Sequence, residues 1–254
     1  MIQNIKKFFF QSKRKILAKT LYRKNFKTPE FYDFYFSQPG EKYIVQVGGN
    51  DGIQNDPLRI YFKSKKNYKA IIFEPIQYYY HKLKQLYHNR DDILIKQQYV
   101  SSEQGEKKIY FIKPKVCDSI EIDNQNNDWL HGLGSFDKKN VINAIDQNSL
   151  GGEKFRKNIE NLKNNIIVEL VSSFALKNLN FSKNSLNLIV IDVQGFELEV
   201  LLSLSFNEKI DYIVYEDENP YSHKSHKIRK LLNKHHYKLI GRLTWVDQIY
   251  KKIF

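Results

Sequence analysis

From Tyr43 onward, short apolar runs of strand length alternate with stretches whose apolar residues recur at helical spacing. Tyr43-Ile44-Val45-Gln46-Val47 is the first run, and it ends in Gly48-Gly49-Asn50-Asp51-Gly52, the composition of a tight turn. Asp56-Pro57 then reads as a helix start, with Asp as N-cap and Pro in the first turn. Ala70-Ile71-Ile72-Phe73 is a second buried strand, closed by Glu74-Pro75. Tyr78 to Tyr87 reads as a helix with Leu83 and Leu86 facing inward. Ile93-Leu94-Ile95 opens a third strand. Lys108 to Ile112 is expected to pair near it after the turn at Gln104-Gly105.

Residues 113–165 interrupt this rhythm. They are polar, rich in Asn and Asp, and contain His131-Gly132-Leu133-Gly134-Ser135 ahead of a helical stretch around Val141 to Ile145. They read as an insertion over the sheet. The rhythm resumes with Ile166-Ile167-Val168 and then with the cleanest strand of the chain, Leu188-Ile189-Val190-Ile191. That strand ends at Asp192-Val193-Gln194-Gly195, and a helix follows from Phe196 to Leu202. Tyr212 to Tyr215 is another strand, ending at Glu216-Asp217-Glu218. A basic helix around 223–235, a strand from Tyr237 to Ile240 and a closing strand near Gln248 to Tyr250 complete the pattern. Repeated units of this kind build an α/β fold, a mostly parallel sheet with helices on both faces. The expected division is a basic helical extension over 1–40 and one domain over 41–254.

The 254 residues suffice for a single large domain, and 41% hydrophobic with 27% charged residues fits a globular chain. A net charge of +13 invites a nucleic-acid partner, so its distribution matters. Residues 1–29 hold nine Lys or Arg and no acid, which leaves +4 for the remaining 225 residues. A basic face spread over the body is therefore lacking, and nucleic acid is not the favoured partner. Ile2, Ile5, Phe9 and Ile16 fall near one face of a helix among Lys6, Lys7, Lys13, Arg14 and Lys15. Such a helix packs on the body or on a partner subunit, or rests peripherally on an anionic membrane surface. One cysteine, Cys117, excludes an internal disulfide and a Cys-rich zinc site. No apolar run approaches a membrane span or a signal-peptide core, so a cytoplasmic protein is expected.

In an open parallel sheet, ligands bind outside the carboxyl ends of the strands, near the point where strand order reverses. Three loops place suggestive groups there. Gly48, Gly49 and Gly52 allow close approach of backbone to a ligand, and Asn50 and Asp51 add polar side chains. Many strand-helix turns are Gly-rich, and this one lacks the dinucleotide GxGxxG spacing. Glu74 ends the next strand, 26 residues after Gly48, where a carboxylate can accept hydrogen bonds from both hydroxyls of a ribose. The ordinary alternative is a helix cap, which the pairing with the glycine turn makes less favoured. Asp192 ends the strand expected mid-sheet, and Gly195 separates it from the helix that it might otherwise cap.

Val45 to Gly52, Phe73-Glu74-Pro75 and the stretch from Leu188 to Leu201 together resemble the FkbM-type methyltransferases, a family with the class I Rossmann-like fold. The last stretch, Ile191-Asp192-Val193-Gln194-Gly195-Phe196-Glu197, is similar to that family's most distinctive motif. The resemblance covers about 43–250 and leaves the N-terminal tail and most of 113–165 aside. It implies a sheet of about seven strands and S-adenosylmethionine under the glycine turn. Its cofactor site would comprise Gln46, Gly48, Gly49, Asn50, Asp51, Gly52, Glu74 and Pro75, with Glu74 on the ribose. It also implies O-methylation of a sugar or natural-product hydroxyl, so the expected partner is a small-molecule or glycan acceptor. Where the family usually has Asp and Glu, this chain has Gln46 and Gln194. Gln46 supplies no negative charge, and Gln194 cannot act as a base.

Asp192 is the first candidate for the base or acceptor-orienting group; Glu216 at the next strand end and His131 in the insertion are its rivals. Asp192, Glu216 and Asp217 can instead hold a divalent ion, though no metal is assigned. Asn219-Pro220-Tyr221 is similar to a signature of amino methyltransferases but follows the wrong strand. An NAD-dependent oxidoreductase shares the same rhythm, and an inert cofactor-binding module fits the two glutamines. Cofactor titration separates these readings.

Overall fold

The computed structural model describes residues 28–253 apart from 55, 65, 121–127, 148–151, 218 and 245. The amphipathic stretch from Ile2 to Ile16 lies outside the described residues. Seven of the apolar runs join one sheet: β1 (Lys42–Val47), β2 (Tyr68–Phe73), β3 (Ile93–Lys96), β8 (Leu186–Ile191), β9 (Tyr212–Glu216), β10 (Tyr237–Arg242) and β11 (Asp247–Lys252). Their order is β10-β11-β9-β8-β1-β2-β3. Only β11 runs against its neighbours, pairing antiparallel with both β9 and β10. The chain builds outward from β1 to β3 and then returns to lay β8 on the other side of β1, which makes β1/β8 the switch point.

Alternation along the central strands divides the core. Ile44, Ile72, Leu188 and Val190 face one side, against Phe31, Tyr32 and Tyr35 of α1 (Thr28–Ser37), Phe62 of α2 (Arg59–Ser64) and Leu83 of α3 (Gln77–Leu86). Val45, Val47, Phe73, Ile189 and Ile191 face the other. There they meet Val200 and Leu201 of α8 (Glu197–Leu202) and Ile228 and Leu232 of α9 (His223–Lys234). The described part of the segment set apart as 1–40 includes α1, whose Phe31, Tyr32 and Tyr35 are fully buried in the first of these clusters while Phe34 is exposed. No helix among the described residues is long and apolar enough to cross a membrane.

Two strands depart from the expected rhythm. Lys108–Ile112 does not pair beside β3, and Ile166–Val168 does not return to the parallel sheet. They belong to β5 (Glu106–Ile112) and β7 (Ile166–Phe174), which pair with each other antiparallel; Tyr110 lies opposite Val168. With β4 (Tyr99–Val100) and β6 (Gly134–Ser135) they form a second, four-stranded sheet in the order β4-β7-β5-β6. The reason is compositional. Glu106 and Lys108 of β5 lie opposite Ser172 and Leu170 of β7 on an exposed face, which an antiparallel sheet tolerates and a doubly covered parallel strand does not. The insertion itself contains α4 (Pro114–Ser119), α5 (Asp128–His131), α6 (Lys138–Gln147) and α7 (Gly152–Asn164) around a small core of its own. Cys117 lies in that core, and burial pushes its thiol up to about 12, which keeps it protonated and inert.

Candidate active site

Register decides which strand-end residues meet. Val47 is level with Phe73 on one side and with Ile191 on the other, and Ile191 is level with Tyr215. Glu74, Gly48, Asp192 and Glu216 therefore leave the sheet in one row. A cleft of about 380 Å³ opens above this row. Gly48, Asn50, Glu74, Pro75 and Asp192 line it on the side of the sheet, and His131 lines it from the insertion.

The glycine turn is shaped by what it must avoid. Gly48 has φ of +88°, and a Cβ there would stand 1.8 Å from the carbonyl oxygen of Asp192. A Cβ on Gly49 would meet Ile72 at 2.4 Å. Asn50, also at positive φ, turns its backbone N–H onto Glu74 Oε2 at 2.8 Å, while the N–H of Ile76 donates to Oε1 at 2.9 Å. Each carboxylate oxygen is thus fixed by a backbone donor, and the Gly49 N–H also acts on the carboxylate. Burial pushes the Glu74 carboxyl up to about 7, although these backbone donors pull it down. The side-chain oxygen of Asn50 is buried at the cleft and has no hydrogen-bond partner among the described residues.

Four of the expected cofactor residues do not line the cleft. Gly49 and Gly52 shape the turn. The Asp51 carboxylate folds back to accept from the N–H groups of Ile53 and Gln54, at 2.8 and 2.9 Å, and so holds the loop. Gln46 sits on the α1 side of the sheet, like Ile44, and its amide donates to Asp56 at 3.4 Å. Burial raises the Asp56 carboxyl to about 6. Alternation alone could have placed Gln46, since Tyr43, Val45 and Val47 share the opposite face.

Asp192, Gln194 and Glu216 come together. The Gln194 amide donates to Asp192 Oδ1 and to Glu216 Oε2, at 3.3 Å in each case, and so bridges two carboxylates that would otherwise repel. Glu216 does not itself line the cleft. Asp217 turns away from them: it accepts from Gln248 at 2.7 Å and from the Ser225 hydroxyl, with Arg229 3.5 Å away. Among the described residues, no group of three or more His, Cys, Asp or Glu can hold a metal ion. His131 is buried between Tyr79, 2.9 Å from its Nδ1, and Asp118, 3.3 Å from its Nε2. It ties the insertion to α3.

Several lining residues escaped the sequence reading. Tyr79 and Gln98 face the cleft from α3 and from the segment after β3, and Phe136 and Phe196 from two turns. Gln98 had a signal, because it lies just past a parallel strand. The two phenylalanines did not, because only the second sheet brings them together.

A parallel sheet with one reversed strand, a glycine turn at its switch point and a buried acid one strand over define a class I methyltransferase domain, whose cofactor is S-adenosylmethionine. The family model described as the methyltransferase FkbM domain matches residues 46–239, and the chain belongs to that family. Among solved structures it is similar to an FkbM methyltransferase from Methylobacillus flagellatus, with 9% identity and a TM-score of 0.47 over 89% of this chain. The chain spans about half of that protein, 48% of its length. It is also similar to Aeropyrum pernix fibrillarin in complex with natively bound S-adenosylmethionine, with 7% identity and a TM-score of 0.39, over 84% of this chain and 67% of that one. No curated protein matches the chain.

Proposed function

We propose that this chain transfers a methyl group from S-adenosylmethionine to a hydroxyl of a carbohydrate or small natural-product acceptor. The observation that carries the reading is the row of Glu74, Gly48 and Asp192 along one cleft, with the Glu74 carboxylate fixed by the N–H groups of Asn50 and Ile76. The residues fit the cofactor. The Glu74 carboxylate lines the cleft as an acceptor for a diol, Gly48 lines it with bare backbone, and the orphaned oxygen of Asn50 needs a donor. When bound, the cofactor supplies a methyl group on a cationic sulfur, open to in-line displacement.

The protein's work is alignment and proton removal. Asp192 stands at the end of the central strand, its backbone N–H held by the Val47 carbonyl at 2.9 Å. Its carboxylate orients the acceptor hydroxyl and takes its proton as the new bond forms. Gln194 holds this carboxylate and Glu216 through its amide, one hydrogen bond to each. Glu216 acts through Gln194 rather than on the acceptor. His131 is committed to Tyr79 and Asp118 and serves as a positioning residue. The test is incubation with isotope-labelled cofactor and a panel of glycans and hydroxylated metabolites, read by mass spectrometry. A labelled methyl on an oxygen supports the reading; label on nitrogen only, or on nucleic acid, overturns it.

A further inference from the structure

The same cleft is lined by the turn of the insertion and by the turn after β8. Phe136, at the turn between β6 and α6, and Phe196, just ahead of α8, meet there with ring centroids 4.8 Å apart and planes tilted by 54°. Phe136 also packs on Tyr99 of β4, at 4.9 Å. Both phenylalanines line the cleft and stay half-buried; they pack on the cluster of Ile76, Tyr79 and Tyr99, and Lys107 Nζ stands 5.7 Å from the Phe196 ring centroid. Polar groups rim the pair. Ser135 Oγ accepts from the Asn140 amide at 3.3 Å, and Asn140, Asp137 and Gln194 line the same cavity.

This arrangement is built. β6 pairs with β5, Tyr110 opposite Ser135 and Phe111 opposite Gly134, which carries the insertion's turn across to the β8 side. The His131 contact to Tyr79 fixes the start of the same turn to α3. The segment from His131 to Phe136 therefore has a task that neither the sheet nor the cofactor turn accounts for.

We propose that Phe136 and Phe196 are the floor, and Ser135, Asn140 and Gln194 the rim, of an acceptor seat for a sugar ring. The proposal rests on the methyl-transfer reading above and names the residues that select its acceptor. A pyranose has an apolar C–H face that packs on aromatic carbon, and hydroxyls at its edge that pair with amide and hydroxyl groups. A flat phenol or an apolar chain would cover the same floor and leave the rim groups unpaired as they lose water, which a polar site strongly rejects. Asp192 lines the same cavity, in which a ring hydroxyl and the methyl group must meet.

The test uses the full chain saturated with S-adenosylhomocysteine, with a panel of neutral methyl pyranosides and a catechol as probes. Saturation-transfer NMR reports acceptor binding, and calorimetry reports S-adenosylhomocysteine affinity. At least one pyranoside should receive saturation in the wild type. Phe136→Ala and Asn140→Ala should each weaken it by about three- to tenfold, with S-adenosylhomocysteine affinity unchanged and a cooperative thermal melt retained. Saturation of the catechol alone, or of no probe, overturns the seat. So does a loss of S-adenosylhomocysteine affinity in Phe136→Ala that matches its loss of pyranoside, because the aromatic pair would then belong to the cofactor. A wild-type chain that binds no S-adenosylhomocysteine defeats the methyl-transfer reading itself, an outcome distinct from failure of the seat.

Discussion

Glu74 carries two pH signatures of opposite sign. Its carboxyl rises from 4.5 to about 7 on folding because burial disfavours the charge. The folded state therefore holds the proton more tightly than the unfolded chain, and Glu74's contribution to stability is lost as pH rises from about 4.5 to about 7. Asp56, raised to about 6, acts in the same direction over a lower range. A diol donating to the Glu74 carboxylate stabilises the charged form, so cofactor affinity should rise with pH up to about 7. Glu74→Gln is expected to flatten the upper part of both profiles. It should also weaken S-adenosylmethionine binding by about tenfold or more, the usual cost of losing hydrogen bonds to a charged group. Calorimetry and urea denaturation across pH measure the two effects, and unchanged affinity would remove Glu74 from the site. Asp192→Asn keeps the shape and one acceptor oxygen but takes no proton. Turnover on the true acceptor should fall by about 10²–10⁴ with cofactor affinity preserved; wild-type turnover would make Asp192 structural.

At the scale of elements, the glycine turn is the point where sequence and structure agree most closely, for a local reason. An apolar run that ends abruptly in Gly, Asn and Asp marks a strand end whatever lies around it, so Gly48, Glu74 and Asp192 were legible. Register then aligned them, and equal strand levels follow from runs of similar length. Gly48 needs both its positive φ and its missing Cβ, since the Asp192 carbonyl occupies that space. Gly48→Ala should therefore cost about 1–3 kcal/mol of stability by parting the ends of β1 and β8. It should weaken cofactor binding as well; a urea midpoint equal to the wild type would contradict this account. The second sheet was not legible. β5 opens with three charged residues in a row, Glu106 to Lys108, and β7 holds one, Glu169, so neither strand shows a clean period and neither names its partner. The same blindness hid the aromatic floor, because Phe136 and Phe196 are far apart in sequence and meet only through the β5–β6 pairing.

For the whole molecule, the open question is where the basic N-terminus ends and the body begins. The nine positive charges before Glu30 all fall within residues 1–27, and α1 starts at Thr28. Phe31, Tyr32 and Tyr35 follow at helical spacing and are fully buried, and the Tyr35 hydroxyl donates to the Leu186 carbonyl at 2.7 Å. Charge and core are thus separated within a few residues, and two truncations can separate their roles. Removing residues 1–27 should leave the thermal melt and S-adenosylmethionine affinity near the full-length values. It should reduce cosedimentation with vesicles containing anionic lipid, because each Lys or Arg near such a surface contributes on the order of 1 kcal/mol. Vesicle binding equal to that of the full chain would assign the basic segment to another partner. Removing residues 1–37 takes away four buried aromatic side chains, Phe31, Tyr32, Tyr35 and Phe36, each worth about 3–5 kcal/mol when cut back in a core. That loss is comparable to the whole stability of a domain. The longer truncation should therefore fail to fold, and a cooperative melt from it would show that α1 is an accessory to the sheet rather than part of its core.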